Sequence, residues 1–188
     1  MGLLRSDQRA GDDDFVAYYV ARADHLRATA YLLCGDWHLA QDLTQTAFTK
    51  LYRVWGRVER HDTLDQYARR VLVRTFLDEK RRPWRRELST VPGSAALDST
   101  ALESAAPDAR GVHERMLLQT ALGRIPKRRR AVLVLRFWAD LSVEQVADIL
   151  GCSTGTVKSQ TSHGLADLRS VLGGALEDLK PHVQGRQS

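Results

Sequence analysis

The residues best suited to chemistry lie in the segment from Leu141 to Arg169, which carries small polar side chains at helical spacing. At 100° per residue, one side of its second half presents Thr156, Ser159, Ser162 and His163, flanked by Lys158 and Gln160. Hydroxyl and amide groups on an otherwise uncharged helix face can form hydrogen bonds with base edges in the major groove of DNA. The pattern therefore favours nucleic-acid recognition, with an ordinary helical hairpin and a solvated outer face as the alternative.

Two helices joined by a tight turn are needed to position that face. Ser142 and Gln145 can form a capping box at the start of the first helix. Gly151 stands where this helix must end, because glycine enters the left-handed region without a steric penalty. Ser153 can cap the second helix, which is predicted from Thr154 towards Val171. Its inner side would be formed by Val157, Thr161, Gly164, Leu165 and Leu168. These features predict a helix-turn-helix.

The rest of the chain also has helical periodicity and shows no strand pattern. Helices are predicted over 15–33, over 37 to about 58, from a capping box at Thr63 and Gln66 to Pro83, over 112–122 and over 127–138. Residues 1–11 are predicted to be irregular, and 87–111 have linker composition. We therefore expect an all-α fold of two small helical domains, residues 12–83 and 112–180, joined by a flexible linker, residues 84–111.

The distribution of charge indicates a polyanionic partner. The formal net charge is +5. Residues 50–86 contain 12 Lys or Arg against 5 Asp or Glu, and residues 112–188 contain 11 against 7. Two basic blocks suggest two contacts with one long polyanion. Cys34, Cys152 and the six His lack metal-ligand spacing, so no metal or other cofactor is expected. The acidic N-terminal segment and the lack of a long apolar run predict a cytoplasmic protein that does not enter a membrane.

Three segments resemble a known family. The stretch I-P-K-R-R-R-A-V-L-V-L-R-F-W-A-D-L-S, with the helix-turn-helix after it, resembles the promoter-binding fourth region of an extracytoplasmic-function (ECF) RNA polymerase sigma factor. D-L-T-Q-T-A-F-T-K-L-Y-R-V-W resembles the core-polymerase-binding helix of that family, and Y-A-R-R-V-L-V-R-T-F-L-D-E-K-R-R resembles its −10 helix. Together they cover nearly the whole chain, and their amino-acid sequences are similar to those of the SigE-like subgroup.

The resemblance implies a function and a set of site residues. It implies a non-catalytic subunit that binds core RNA polymerase, through the β′ coiled coil and the β flap, and directs transcription initiation at promoter DNA. An anti-sigma factor would be a further partner. The residues implied for core polymerase are Asp42, Gln45, Thr46 and Phe48, with Phe48 expected to be an exposed anchor. Those implied for the −10 element are Arg60, His61, Asp62, Arg69, Arg70, Arg74 and Asp78, and those for the −35 element are Ser153, Thr156, Lys158, Ser159, Gln160 and His163.

Two other classes of protein are alternatives to a sigma factor. A stand-alone DNA-binding regulator would use the same helix-turn-helix without polymerase, but it leaves the two N-terminal motifs unexplained. A helical enzyme would need clustered titratable groups or a nucleophile beside its base. The six His are scattered along the sequence, and Asp12, Asp13 and Asp14 are adjacent carboxylates of the kind usually found solvated.

Overall fold

The computed structural model describes residues 3–57, 61–79 and 109–178, with side chains for 11–57, 63–79 and 114–173. The described chain is all-α, as predicted. Its helices are α1 (Leu3–Cys34), α2 (Trp37–Tyr52), α3 (His61–Asp78), α4 (Ala109–Arg124), α5 (Lys127–Leu133), α6 (Val143–Leu150) and α7 (Thr154–Asp178). A single 3-10 turn, Trp55–Arg57, follows α2, and a π-helical turn, Val134–Trp138, follows α5.

The first three helices form the N-terminal unit. The turn between α1 and α2 is built locally: Gly35 adopts φ +72°, and the Asp36 side chain accepts a hydrogen bond from the backbone N–H of Leu39. Apolar side chains one or two helical turns apart are then buried where the three helices meet. They include Leu26, Ala30 and Leu33 of α1, Ala40, Leu43, Ala47 and Leu51 of α2, and Leu64, Leu72, Val73 and Phe76 of α3.

The boundaries of these helices differ from the predicted ones. α1 begins at Leu3 within the segment predicted to be irregular, because extending a formed helix adds one hydrogen bond for each residue fixed. α2 ends at Tyr52 rather than near Val58. α3 begins at His61, so Thr63 lies in its first turn instead of capping it, and its last residue is Asp78. Pro83 lies outside the described residues.

The remaining helices form the C-terminal unit. α4 begins at Ala109, three residues before the predicted start, and the rest of the predicted linker lies outside the described residues. Five consecutive residues, Ala131–Leu135, are buried, so the end of α5 and the start of the π-helical turn lie at the centre of this unit. α6 and α7 pack against that centre.

The two units share one apolar core. Leu33 and Phe76 of the N-terminal unit and Ile125 and Leu135 of the C-terminal unit belong to the same buried cluster. α3 packs against α6, and α1 packs against α4 and α5. The helix-turn-helix is thus in contact with the helix predicted to recognise the −10 element.

Candidate nucleic-acid and polymerase interfaces

The helix-turn-helix is closed by the local hydrogen bonds that its sequence predicts. The Ser142 hydroxyl accepts from the backbone N–H of Gln145 at 3.2 Å, and the Gln145 side chain accepts from the backbone N–H of Ser142 at 2.8 Å. Gly151 ends α6 at φ +63°. The Ser153 hydroxyl then accepts from the backbone N–H of Thr156 at 3.1 Å. Both caps and the left-handed turn are confirmed.

α7 buries one side and exposes the other, also as predicted. Val157 is fully buried, and Gly164 is buried directly against the Leu133 side chain. On the other side Ser153, Lys158, Ser159 and His163 are exposed, and Thr156 and Gln160 are half-buried. The hydroxyl groups of Ser153 and Thr156 lie 2.9 Å apart and bond to each other. The groups left to meet a ligand are therefore the amide of Gln160, the hydroxyls of Ser159 and of the exposed Ser162, the imidazole of His163 and the cation of Lys158.

The arginines of α3 do not form one exposed row. Arg74 is exposed and Arg70 is half-buried, but only 17% of the Arg69 side chain is exposed, and its guanidinium faces Asp65 at 3.9 Å. Arg69, one of the residues implied for the −10 element, is therefore turned towards Asp65 and away from solvent, because α1 brings a second set of polar groups onto this side of α3.

That second set of groups surrounds Asp65. Tyr18 of α1 donates a hydrogen bond to this carboxylate at 2.6 Å, and Arg22 lies 3.4 Å from it. Burial, followed by the hydrogen bond to Asp65, raises the pKa of Tyr18, so the phenol stays protonated and keeps donating. Asp65 therefore joins α1 to α3. It lies within α3, one helical turn after the start of that helix.

Several residues predicted for the −10 element cannot be placed with side chains. His61 and Asp62 form the start of α3, but their side chains lie outside the described part of the structure, and Arg60 lies outside the described residues altogether. Asp78 is exposed at the C-terminal end of α3. Among the predicted residues of this helix whose side chains the structure describes, Arg74 and Asp78 are exposed.

A groove lies between α1 and α2 in the N-terminal unit. It has a volume of about 560 Å³ and is lined by Phe15, Tyr19, Ala23, Arg27, Gln41, Thr44, Gln45, Phe48, Thr49 and Tyr52. A shallower depression beside it is lined by Asp42, Gln45, Thr46, Thr49, Lys50 and Arg53. All four residues predicted to bind polymerase thus line one of these two depressions, with Asp42 and Gln45 exposed, Thr46 half-buried and Phe48 buried.

Phe48, the fourth, is not the exposed anchor that the sequence suggested. It is only 4% exposed, and its ring lies 4.7 Å from that of Tyr19 and 6.4 Å from those of Phe15 and Tyr18. The exposed aromatic residues at the groove are Tyr19 (45%) and Tyr52 (49%). Apolar residues occupy several sides of α1, and this is the signal in the sequence that some of them, such as Tyr19, must face outward.

Within 3–57, 61–79 and 109–178, no group of three or more His, Cys, Asp or Glu side chains could hold a metal ion. Over the part of the chain that the structure describes, no helix is both long enough and apolar enough to cross a membrane.

Comparison with known proteins places both units in one family. Residues 18–86 match Sigma-70 region 2, and residues 115–168 match Sigma-70, region 4. The chain is 38% identical over 161 residues to the RNA polymerase sigma-E factor of Streptomyces coelicolor, covering 85% of this chain and 86% of that protein. It is 33% identical over 153 residues to the ECF RNA polymerase sigma factor SigE of Mycolicibacterium smegmatis, covering 80% of this chain and 58% of that protein.

Solved structures have the same fold. The sigma factor RpoE of Bartonella quintana, in complex with the anti-sigma factor NepR, aligns with a TM-score of 0.63 at 23% identity, covering 85% of this chain and 97% of that one. CnrH, in complex with the cytosolic domain of CnrY, aligns with a TM-score of 0.60 at 18% identity, covering 87% and 90%. The local caps of the helix-turn-helix, the two matched regions and these relatives agree: the chain belongs to the ECF family of RNA polymerase sigma factors, is SigE-like, and functions in transcription initiation.

Proposed function

We propose that this sigma factor binds core RNA polymerase through the groove between α1 and α2, contacts the −10 element with α3 and reads the −35 element with α7. The observation that carries the proposal is that each surface is exposed on a different helix, with chemistry suited to its own ligand. The protein would act as a specificity subunit without catalysis of its own, in the cytoplasm where polymerase and promoter meet. In this proposal residues 12–83 and 112–180 are the two functional domains, and residues 84–111 connect them.

The groove is suited to a helix of the polymerase β′ subunit. Its floor is aromatic, its rim carries the exposed rings of Tyr19 and Tyr52, and Asp42, Gln45 and Thr46 supply polar groups beside it. Aromatic anchors within a polar rim are typical of protein interfaces. The buried ring of Phe48 would support the floor while Tyr19 and Tyr52 make the contact. The β flap would be contacted by the C-terminal unit, as the family resemblance implies.

The two DNA contacts would differ in kind. The exposed guanidinium of Arg74 suits a phosphate of the melted strand, and Arg60, His61, Asp62, Arg70 and Asp78 remain proposed members of the −10 surface. Arg69 would act through Asp65 instead of touching DNA. On α7 the amide of Gln160 can form a bidentate pair with adenine, while Ser159 and His163 discriminate between bases more weakly.

An anti-sigma factor is a further proposed partner. Both proteins in the structural comparison were solved with a bound protein: the sigma factor RpoE with the anti-sigma factor NepR, and CnrH with the cytosolic domain of CnrY. The groove between α1 and α2 is also the surface where such a protein would compete with polymerase. Competition between a candidate anti-sigma protein and core polymerase for the purified chain would test this.

The experiment that tests the proposed function is reconstitution with purified core polymerase. We expect the protein to co-elute with core polymerase and to support run-off transcription from genomic fragments. Asp42→Ala and Gln45→Ala should weaken binding to core polymerase, whereas Asp148→Ala, which removes an exposed carboxylate from α6, should not. Circular dichroism checks that every variant is folded. Unchanged core affinity in both groove variants would contradict the proposed interface, and DNA binding without co-elution would indicate a stand-alone regulator.

A further inference from the structure

The Asp65 carboxylate on α3 gathers polar groups from two helices. Tyr18 of α1 donates a hydrogen bond to it at 2.6 Å, and Arg22, on the next turn of α1, lies 3.4 Å from it. Arg69 of α3 lies 3.9 Å away, and the side chains of Asp65 and Arg69 are only 18% and 17% exposed. A carboxylate so little exposed is costly unless it is paired and hydrogen-bonded, so its partners hold it in place. We call these four residues the Asp65 cluster.

Tyr18 connects this cluster to the aromatic part of the core. The residue is 9% exposed, and its ring lies 5.1 Å from that of Trp55, in the 3-10 turn after α2, and 6.4 Å from that of Phe48 in α2. These neighbours fix the ring, so the hydroxyl can reach the Asp65 carboxylate from one direction. Because burial and this hydrogen bond raise the pKa of Tyr18, the phenol remains a donor. One side chain of α1 thus contacts α2, the turn after it and α3.

The hydrogen bond supplies a direction that the other contacts of α3 lack. Among the described residues of α3, the buried ones are apolar and include Leu64, Leu72 and Phe76. Apolar burial stabilises the helix against its neighbours but has no preferred direction. A hydrogen bond weakens steeply away from its preferred length and angle, so it defines the rotation of the helix more sharply. The bond from Tyr18 to Asp65 therefore determines how α3 is turned about its own axis.

The rotation of α3 decides which way Arg74 points. Arg74 follows Asp65 by nine residues, which at about 100° per residue amounts to two and a half turns, so the two side chains lie on opposite sides of the helix. With Asp65 held against α1, the Arg74 side chain is exposed to solvent. Asp65 also lies only one turn after His61, where α3 begins, so the same bond holds the start of the helix.

We propose that Tyr18 and Asp65 are positioning residues for promoter opening, which hold α3 in the orientation in which it receives the melted strand of the −10 element. Both side chains are largely buried, so they act through α3 and do not touch DNA. Contacts that are already in place cost less ordering when the ligand arrives, and contacts with the melted strand must offset the cost of separating the duplex. The inference rests on the proposed role of α3.

The test uses Tyr18→Phe, which removes the hydroxyl and keeps the packed ring. The full chain is reconstituted with core polymerase on a promoter mapped by run-off transcription, and permanganate reactivity of melted thymines measures opening. Two templates are compared, the intact duplex and the same promoter with a mismatched, already unpaired −10 element. Tyr31→Phe is the matched control, because it removes a phenol hydroxyl from the same helix where the ring packs against Trp37 at 5.5 Å. Core affinity and the free energy of unfolding are measured for each variant.

We expect Tyr18→Phe to reduce opening of the duplex promoter roughly tenfold, because a hydrogen bond to a charged group contributes about that factor. On the unpaired template the loss should be much smaller, since no strand separation has to be offset, and core affinity should be unchanged. Tyr31→Phe should match wild type on both templates. Asp65→Asn should reduce opening in the same direction, and adding it to Tyr18→Phe should cause little further loss, because both changes break one contact.

Three results would overturn the inference: wild-type opening of the duplex by Tyr18→Phe, an equal loss on both templates, or the same loss in Tyr31→Phe. An equal loss would mean that the hydroxyl only keeps the protein folded. If Tyr18→Phe does not fold, Asp65→Asn is judged by the same comparisons. Amide hydrogen exchange in the free protein should rise in the first turns of α3 in Tyr18→Phe, and unchanged exchange counts against the inference alone. A wild-type protein that opens no promoter with core polymerase counts against the proposed function.

Discussion

Substitution of Gly164 by Ala tests how closely α7 packs against the core of the C-terminal unit. A β-carbon at this position would lie 3.1, 3.2 and 3.3 Å from the Cγ, Cδ1 and Cδ2 atoms of Leu133. Real β-carbon contacts are rarely this short, so Leu133 must move. It is 4% exposed and lies in the middle of the buried run at the centre of the C-terminal unit, so it has little room to do so.

The magnitude follows from two opposing terms. Replacing glycine by alanine inside a helix stabilises it by about 0.5–1 kcal/mol. Overpacking a filled core costs about 1–3 kcal/mol. We therefore expect Gly164→Ala to lower the free energy of unfolding by a net amount on the order of 1 kcal/mol, where helix propensity alone predicts an increase.

Gly173 is the matched control, because it lies in the same helix and a β-carbon there would meet no atom within 4 Å. Gly173→Ala should be neutral or stabilising, so the difference between the two variants isolates the overpacking cost of about 1–3 kcal/mol. Urea denaturation followed by circular dichroism measures both. If Gly164→Ala is as stable as Gly173→Ala, Gly164 of α7 does not pack directly against Leu133. The polar face of α7 would then point in a different direction.

Three further predictions concern other parts of the molecule. Phe48→Ala should lower the free energy of unfolding by about 3–5 kcal/mol in urea denaturation, because a buried aromatic ring is lost; a variant as stable as wild type would show that this ring is not part of the core. Burial and the nearby Arg69 lower the pKa of His25 in the folded protein, so the unfolded chain binds more protons once the pH falls below about 6.5. Stability should then fall between pH 7 and pH 5, and His25→Gln should flatten that slope; an equal slope in both proteins would refute the assignment. Gln160→Ala should relax the preference at one base pair of the −35 element, at a cost of roughly 1–3 kcal/mol, whereas Lys158→Ala should weaken all sequences equally. Selection from a randomised −35 library distinguishes the two, and an unchanged base profile for Gln160→Ala would mean that α7 is turned differently on DNA.

The sequence alone determined the helix-turn-helix down to its hydrogen bonds. Ser142 with Gln145, the left-handed Gly151 and Ser153 at the start of α7 are all where the pattern places them. The cap of α2 by Asp36 was equally predictable. These features depend on residues at most four positions apart, so a short stretch of chain contains all the groups involved. The family could also be recognised from short local sequence motifs.

Only the tertiary structure decided which side of each helix faces the protein. α1 is apolar on more than one side, so its crossing with α2 determined that Tyr18 and Phe48 are buried and that Tyr19 and Tyr52 remain exposed. Arg69 is turned away from solvent towards Asp65, whose carboxylate is held in place by Tyr18 and Arg22 of another helix. No periodicity within one segment contains that information.

The most distant contacts were the least predictable. Arg130 reaches a carbonyl 97 residues away in sequence, and Lys127 reaches others 48 and 51 residues away. In the sequence both belong to a basic run whose simplest interpretation is a surface for DNA. Their partners are backbone carbonyls, which every residue possesses and which therefore leave no mark in the sequence. Whether such cations face solvent or the end of another helix is decided only when the two units pack together.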